Sequence, residues 1–84
     1  MASPVAAVVE VAARGLVDRP QEVRVTETTE RGVTVVELTV GAGDVGKVVG
    51  RQGRTADALR TLVNATAQHH GTKATLEIRD PDRR

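Results

Sequence analysis

The residues with the clearest capacity for chemistry lie in one segment, GAGDVGKVVGRQGR, from Gly41 to Arg54. Its closely spaced glycines leave backbone amides accessible, and amides at the start of a helix bind phosphate groups. Overlapping patterns fit this chemistry: G-x-G-x-x-G and G-x-x-x-x-G-K both begin at Gly41, and G-x-x-G runs from Gly50 to Gly53. The segment is therefore predicted to bind phosphate, and the neighbouring elements decide in which kind of molecule.

A helix and a hairpin are predicted before this segment. Ser3 followed by Pro4 fits an N-cap and a first helical position. The apolar stripe of the helix comprises Val5, Val8, Val9, Ala12 and Leu16. Residues 23–40 alternate between apolar and polar side chains around Arg31-Gly32, which predicts two antiparallel strands joined by a turn. The core-facing side chains of the second strand are Val36, Leu38 and Val40. The opposite, partly exposed side holds Val33 and Val35.

Two helices and a strand are predicted within and after the segment. Asp44 can cap a short helix that ends at Val49, and a longer helix covers about residues 54–70 before Gly71, a suitable C-terminal glycine. The buried stripe of the longer helix comprises Leu59, Leu62, Val63, Thr66 and Ala67. The strand Lys73–Arg79 directs Ala74, Leu76 and Ile78 inward. The order α-β-β-α-α-β predicts an α+β fold in which helices cover one face of a three-stranded sheet.

Both nucleotide-binding patterns lack elements that they require. A triphosphate loop needs Ser or Thr after its lysine to hold Mg²⁺, but Val48 follows Lys47. No parallel multistranded sheet is predicted, nor a second carboxylate-bearing strand for the metal. The dinucleotide pattern needs an uninterrupted helix, whereas Gly50 and Gly53 each cost roughly 1 kcal/mol in a helix interior. A free nucleotide is therefore not expected as a ligand.

The G-x-x-G pattern agrees with its surroundings. Between two helices it forms a turn that lets a sugar-phosphate backbone approach without a clash with Cβ. The second helix adds partial positive charge and free amides at its N-terminus. Arg51 and Gln52 fill the variable positions, and Lys47 and Arg54 flank the turn. The same pattern also fits an ordinary interhelical turn with surface charge, so on its own it leaves both interpretations open.

Composition narrows the classes of function. Without cysteine, the chain cannot form disulfides, zinc knuckles or a thiol catalyst, and without aromatic residues it lacks the stacking platforms of RNA-recognition motifs and OB-type barrels. With a net charge of +1, any nucleic-acid binding must come from a local patch. No segment fits a signal peptide or a membrane span, so we expect no membrane partner.

No set of residues predicts catalysis, a bound metal or a cofactor. His69 and His70 lie at a helix C-terminus, where polar or cationic side chains suit the helix dipole. Glu27, Glu30 and Glu37 occupy the hairpin and fit a solvated strand face better than paired catalytic carboxylates. We therefore expect a protein that is not an enzyme.

The segment VGKVVGRQGRTADALRTL, residues 45–62, closely resembles the I-G-x-x-G-x-x-G signature of the KH domain. The order of elements matches the bacterial type II KH topology. With the RPQEVRV lead-in, the hairpin and the final ATLEIR strand, the chain resembles the small bacterial single-domain RNA-binding KH proteins of the KhpA kind, roughly from Val5 to Arg79. Valine replaces the frequent isoleucine of the motif, and Arg51 stands where lysine is commoner.

This resemblance implies one KH domain over residues 1–84, with a core of about 4–79 and a polar tail at 80–84. It implies binding of single-stranded RNA, about four nucleotides, across the turn and an adjacent groove. The implied RNA-binding residues are Lys47, Val49, Gly50, Arg51, Gln52, Gly53 and Arg54. The residues implied to support or line the groove are Val36, Leu38, Val45 and Val48.

Relatives of this kind imply a cytoplasmic RNA chaperone or post-transcriptional regulator linked to cell elongation and envelope growth. They also imply a homodimer, or a heterodimer with a second KH-containing protein. The alternative function is a protein-interaction module, in which the KH-like scaffold pairs through the open sheet face at Val33 and Val35 or through the N-terminal helix.

Overall fold

A computed structural model describes residues 3–81, and its helices and strands follow the predicted order. The elements are α1 Pro4–Leu16, β1 Arg24–Glu30, β2 Val33–Thr39, α2 Val45–Val49, α3 Arg54–His69 and β3 Lys73–Arg79. Short 3₁₀ turns lie at Pro20–Glu22, Ala42–Asp44 and Arg51–Gly53. Of the expected polar tail, residues 82–84 lie outside the described residues. The predicted α+β fold class is confirmed.

Local signals delimit the two long helices as predicted. Ser3 precedes α1 as its N-cap, and its Oγ accepts the N–H of Ala6 at 3.2 Å. After α3, Gly71 adopts φ +70° and its N–H donates to the carbonyl of Gln68 at 3.0 Å. That left-handed residue ends the helix and lets the chain turn back into β3.

The strands form one mixed sheet in the order β1-β2-β3. β1 and β2 are the predicted antiparallel hairpin, with Val25 opposite Leu38. β2 and β3 run parallel, with Leu38 opposite Ile78, because the chain crosses the helical face between them. The sequence predicts no parallel multistranded sheet, and among the described strands this pair is the parallel part of a mixed sheet. The crossover helix is nevertheless broken after Val49, as a dinucleotide site would not allow.

The helices cover one face of the sheet and enclose an aliphatic core. Val36 and Leu38, predicted to face inward from β2, are fully buried, and Leu76 of β3 packs against the same core. The helices contribute Val5, Val9, Ala13, Val48, Leu59, Val63 and Ala67. Burial of each valine or leucine side chain stabilises the fold by about 1.5–3 kcal/mol. The core thereby fixes α2, α3 and β3 relative to one another.

Two leucines that the sequence predicts to be buried are exposed. Leu16 of α1 is 40% exposed and Leu62 of α3 is 47% exposed. Most buried positions of each helix recur every three or four residues, as from Val9 to Ala13, and these leucines lie on the flank of that narrow stripe. Together with Val11, which is 74% exposed, they leave apolar surface beside the contact of α1 with α3.

The other face of the sheet is uncovered and mostly polar. Val33 and Val35 are half-buried there, as predicted. Glu37 of β2 and Glu77 of β3 lie opposite each other on this face, and Arg79 pairs with both. The hydrogen bond from Arg79 lowers the pKa of Glu37 more than its partial burial raises it. Arg79 thus neutralises two carboxylates that would otherwise repel each other.

Candidate nucleic-acid interface

The turn between α2 and α3 has an unusual backbone. Gly50 ends α2 at φ +76°, and its N–H donates to the carbonyl of Gly46 at 2.9 Å. Gln52 at φ +57° and Gly53 at φ +73° then occupy the left-handed region. Non-glycine residues rarely adopt that region, and such strained residues concentrate at functional sites. The turn reverses the chain tightly and brings the end of α2 next to the start of α3.

The two glycines of the turn are required for different reasons. A Cβ on Gly50 would lie 2.3 Å from Thr55 Oγ1 and 2.9 Å from the Thr55 backbone nitrogen, so internal packing excludes a side chain there. A Cβ on Gly53 would meet no atom within 4 Å. Open space therefore lies beside Gly53, where the backbone of another molecule has room to approach. Gly50 is explained without any ligand.

Exposed polar side chains surround this open space. Arg51 and Gln52 project from the turn, and Arg54 Nη2 donates to Gln52 Oε1 at 3.4 Å. Within residues 3–81, Arg51 forms no ion pair. No side chain caps the N-terminus of α3 at Gly53, so its first-turn amides face the same region. The geometry combines two cations with the positive end of a helix of 16 residues.

Lys47, which the sequence also predicts to contact RNA, is already engaged within the protein. Its Nζ lies 2.9 Å from Asp18 Oδ2 and 3.5 Å from Asp44 Oδ1. The hydrogen bond to Asp18 is the main cause that raises the pKa of Lys47. The ammonium group therefore links α2 to the connection between α1 and β1.

Asp44 occupies the predicted N-cap position of α2, but its side chain does not cap the helix. The carboxylate is buried, and its Oδ2 accepts the backbone N–H of Arg19 at 3.1 Å. Burial raises the pKa of Asp44, but the N–H groups of Arg19 and Asp18 and the Lys47 ammonium outweigh it, and the net shift is downward. Asp44 thus anchors the short helix, which five residues could not stabilise alone.

A groove runs along α3 and the open edge of β3. Its wide end, about 490 Å³, is lined by Arg60 and residues 76–80. A narrower part of about 230 Å³ continues past Asn64 and Thr75, and Arg60 and Leu76 line both parts. Because α3 leads directly into β3 and the chain reverses between them, the wide end lies beside the N-terminal half of α3. That half of α3 begins directly after the turn.

The groove differs from the one that the sequence predicts. Val36 and Leu38 of the hairpin are fully buried and support the site from below, as does Val48. Val45 and Val49 are half-buried beside the turn. The lining residues missed by sequence reasoning are Arg60, Asn64, Ile78 and Arg79. The spacing of Arg60 and Asn64, four residues apart on one face of α3, was the available signal.

A second, apolar groove of about 430 Å³ lies on the opposite flank of α3, against α1. Its lining residues are Val11, Ala12, Gly15, Leu16, Thr55, Ala58, Leu59 and Leu62. Gly15 and Ala58 are small, which leaves the helix backbones accessible to a packed neighbour. No charged side chain lines this groove. The two flanks of α3 are thus chemically distinct.

The described residues contain no cluster of histidine, cysteine and carboxylate side chains that could hold a metal ion. His69 and His70 contact each other edge to face, with ring centroids 5.1 Å apart, and both are exposed. Glu27 accepts the hydroxyl of Ser3 at 2.8 Å, and Glu37 pairs with Arg79. Among residues 3–81, no helix has the length and apolarity needed to cross a membrane.

The helix order, the mixed sheet and the glycine turn between α2 and α3 together define a KH domain of type II topology. A family model described as "KhpA/KhpB, KH domain" matches residues 6–78. The chain belongs to this KhpA/KhpB family of KH domains, which confirms the resemblance found in the sequence.

Individual relatives agree with the family assignment. The chain is similar to the RNA-binding protein KhpA of Treponema pallidum (strain Nichols), at 52% identity over 68 residues, or 81% of this chain and 85% of the relative. It is similar to the RNA-binding protein KhpA of Aquifex aeolicus (strain VF5), at 45% identity over 84% of this chain and 90% of the relative. It is also similar to the RNA-binding protein KhpA of Clostridium perfringens (strain 13 / Type A), at 44% identity over 83% of this chain and 93% of the relative.

Proposed function

We propose that this chain binds single-stranded RNA through the Gly50–Gly53 turn and the groove between α3 and β3. The observation that carries the proposal is the open space beside Gly53, at the N-terminus of α3 and next to exposed Arg51 and Arg54. Relatives at 44–52% identity bear the name RNA-binding protein KhpA, which supports RNA as the ligand.

The turn binds the phosphates in this proposal. The absence of a side chain at Gly53 lets a phosphate reach the first-turn amides of α3, where an anion gains about 0.3–1 kcal/mol from the helix dipole. Arg51 and Arg54 add charge-assisted hydrogen bonds, and Gln52 adds a neutral donor. Lys47 and Val49 flank this contact from α2.

The bases extend from the turn into the groove. Because the chain has no aromatic residues, they contact aliphatic side chains such as Leu76 and Ile78 instead of stacking on rings. Arg60 and Asn64 supply donors and acceptors for base edges. β3 pairs only with β2 among the described strands, so backbone groups along its free edge are also available for hydrogen bonds.

We also propose the wider role that the family resemblance implies. One KH domain with a core of about residues 4–79, supported by one continuous apolar core, acts in the cytoplasm as an RNA chaperone or post-transcriptional regulator. It does so without catalysing a reaction, and its targets affect cell elongation and envelope growth. Crosslinking in cells followed by RNA sequencing identifies the targets, and cell length after deletion of the gene tests the physiological link.

The direct test replaces Arg51 and Gln52 with aspartate. Two carboxylates then face the phosphates, and we expect affinity for a mixed-sequence single-stranded RNA to fall at least about tenfold, or roughly 1.4 kcal/mol, at low salt. Fluorescence anisotropy measures the binding.

A control with the same change in charge is Thr28→Asp/Arg31→Asp, at exposed positions of the hairpin. Arg31 lies in the left-handed region, which aspartate tolerates. Both variants make the same change in net charge, because each removes one arginine and introduces two aspartates. If the turn variant binds RNA as tightly as wild type, the assignment of the turn is wrong.

A second candidate function, pairing of two copies of this chain, is favoured by the apolar groove between α1 and α3. Val11 is 74% exposed and Leu62 is 47% exposed, and both line that groove. A twofold axis can place this surface against itself, as in most homodimers. The uncovered sheet face is less suitable because only Val33 and Val35 are apolar there. A heterodimer with a second KH-containing protein would use the same surface.

Leu62→Asp tests the pairing. We expect the purified wild type to sediment as a dimer and the variant as a monomer, since a charge in an apolar interface is left unpaired. Thr61→Glu, exposed on α3 but outside the groove, is the control and should remain dimeric. A monomeric wild type that binds an added KH-containing protein would favour the heterodimer, and a strict monomer with no partner would contradict the proposal.

A further inference from the structure

We propose that Asp18 competes with RNA phosphate for Lys47 and so limits how tightly this chain binds RNA. The inference rests on the proposed RNA binding and adds an affinity-determining residue outside the glycine turn. It assigns to Lys47 a role different from that of Arg51 and Arg54.

The contacts of Lys47 separate it from the other cations. Its Nζ lies 2.9 Å from Asp18 and 3.5 Å from Asp44, whereas Arg51 has no ion-pair partner within residues 3–81 and Arg54 bonds only a neutral amide oxygen there. Lys47 lies in α2, three residues before Gly50. It is close to the glycine turn in the sequence, but its charge is already compensated by Asp18 and Asp44.

The two carboxylates hold Lys47 in different ways. The Asp44 side chain is 4% exposed and accepts the backbone N–H of Arg19, so its position is fixed. The Asp18 side chain is 74% exposed and makes its contact on a loop between α1 and β1. Asp18 is therefore the partner that an incoming phosphate can displace, while Asp44 stays in place.

Displacement of Asp18 from Lys47 adds little to the affinity for RNA. The phosphate gains Lys47 only as the carboxylate loses it, so one ion pair replaces another. An exposed pair of this kind favours its bound state by up to about fivefold. Removal of the Asp18 charge should therefore raise the affinity for RNA by up to the same factor.

The salt dependence of binding reports the number of cations that engage phosphate. On the single-strand scale, each contributes about −0.7 to the slope of log affinity against log salt. Arg51 and Arg54 alone predict a slope of about −1.4, and a third contact from Lys47 predicts about −2.1. The two cases are distinguishable between about 50 and 200 mM salt.

The experiment compares wild type with Asp18→Asn, Lys47→Gln and the double variant, using a short fluorescent single-stranded RNA of mixed sequence. We expect Asp18→Asn to bind up to about fivefold tighter at low salt, with a slope steeper by about 0.7. Lys47→Gln should keep the wild-type slope, and the double variant should lose the gain of Asp18→Asn. Glu30→Gln, with the same charge change at the far end of the hairpin, is the matched control.

The inference is overturned if Asp18→Asn shows wild-type affinity and slope, or if Glu30→Gln tightens binding equally. It is also overturned if Lys47→Gln flattens the slope while Asp18 is present, because Lys47 would then contact RNA directly. The measurement on Lys47→Gln does not depend on the folding of the Asp18 variant. Thermal melting verifies that each variant is folded. A wild type that binds no RNA overturns the proposed function as well, whereas RNA binding without coupling between Asp18 and Lys47 overturns this inference alone.

Discussion

Two turns of this chain share one backbone conformation in different surroundings. In the hairpin, Arg31 and Gly32 have φ values of +52° and +79°. Between α2 and α3, Gln52 and Gly53 have φ values of +57° and +73°. The hairpin turn joins two antiparallel strands, whose twist favours positive φ at both central residues. The second turn leads into a helix N-terminus flanked by arginines.

Positive φ values do not by themselves identify a binding site. The hairpin turn is fully explained by the strands that it connects. The interhelical turn shares the strain of that conformation, but it adds the free amides of α3 and the open space beside Gly53. The surroundings of the strained residues therefore distinguish the two turns, and substitutions at matched positions can test the distinction.

The largest effect is expected at Gly50, which has no counterpart in the hairpin. Gly50→Ala combines a positive φ with a contact of 2.3 Å to Thr55 Oγ1, and we expect a loss of about 3 kcal/mol in the free energy of unfolding. Urea denaturation measures it. An unchanged midpoint would show that α3 shifts easily, and the assignment of Gly50 to internal packing would then be wrong.

The paired variants Gly53→Ala and Gly32→Ala separate strain from binding. Each places Cβ in the left-handed region with no neighbour within 4 Å, so each should cost about 1–2 kcal/mol of stability. Only Gly53→Ala should also weaken RNA binding, by about tenfold, because its Cβ occupies the space proposed for the phosphate backbone. Equal RNA affinity of the two variants would remove the distinction between the turns.

Smaller effects are expected from Arg31→Asn and Gln52→Asn. Asparagine tolerates the left-handed region better than arginine or glutamine, so each variant should gain about 0.5 kcal/mol in stability. Thermal melting of both proteins provides the measurement. A gain at Arg31 without one at Gln52 would indicate that the interhelical turn relieves its strain elsewhere.

The smallest expected effect is a loss of stability that occurs only at acidic pH. The pKa of Asp44 is lowered in the folded state, so its contribution to stability is fully present above the unfolded value of about 3.9 and is lost as the pH falls through the folded value. Glu37, with its pKa lowered by Arg79, acts in the same direction. The urea concentration at the denaturation midpoint should therefore decrease when the pH is lowered below about 4. Asp44→Asn should show a shallower fall, and an identical profile would contradict the anchoring role of Asp44.

Much of the fold could be predicted because its signals are local. Ser3 caps α1, Gly71 ends α3, and the alternating residues Val36 and Leu38 face the core, all from patterns within a few positions. The broken helix at Gly50 and Gly53 is likewise explicit in the sequence. The roles of these glycines as an RNA clamp remain a prediction.

The remaining features depend on residues far apart in the chain. The contact of Lys47 with Asp18 and the anchoring of Asp44 by Arg19 arise only when the loop after α1 meets α2. Prediction of the groove requires knowing that β3 lies at the edge of the sheet, and the periodicity of the sequence does not determine this. The exposure of Leu62 likewise depends on which flank of α3 the neighbouring helix leaves uncovered.

The parallel pairing of β2 with β3 has a consequence for folding. The hairpin of β1 and β2 can form from neighbouring residues, but β3 must find β2 across the whole of α2 and α3. Such long-range contacts form slowly compared with local ones. The glycine turn and the groove both lie within this closing loop. During synthesis, the groove between α3 and β3 is therefore incomplete until Lys73–Arg79 has left the ribosome.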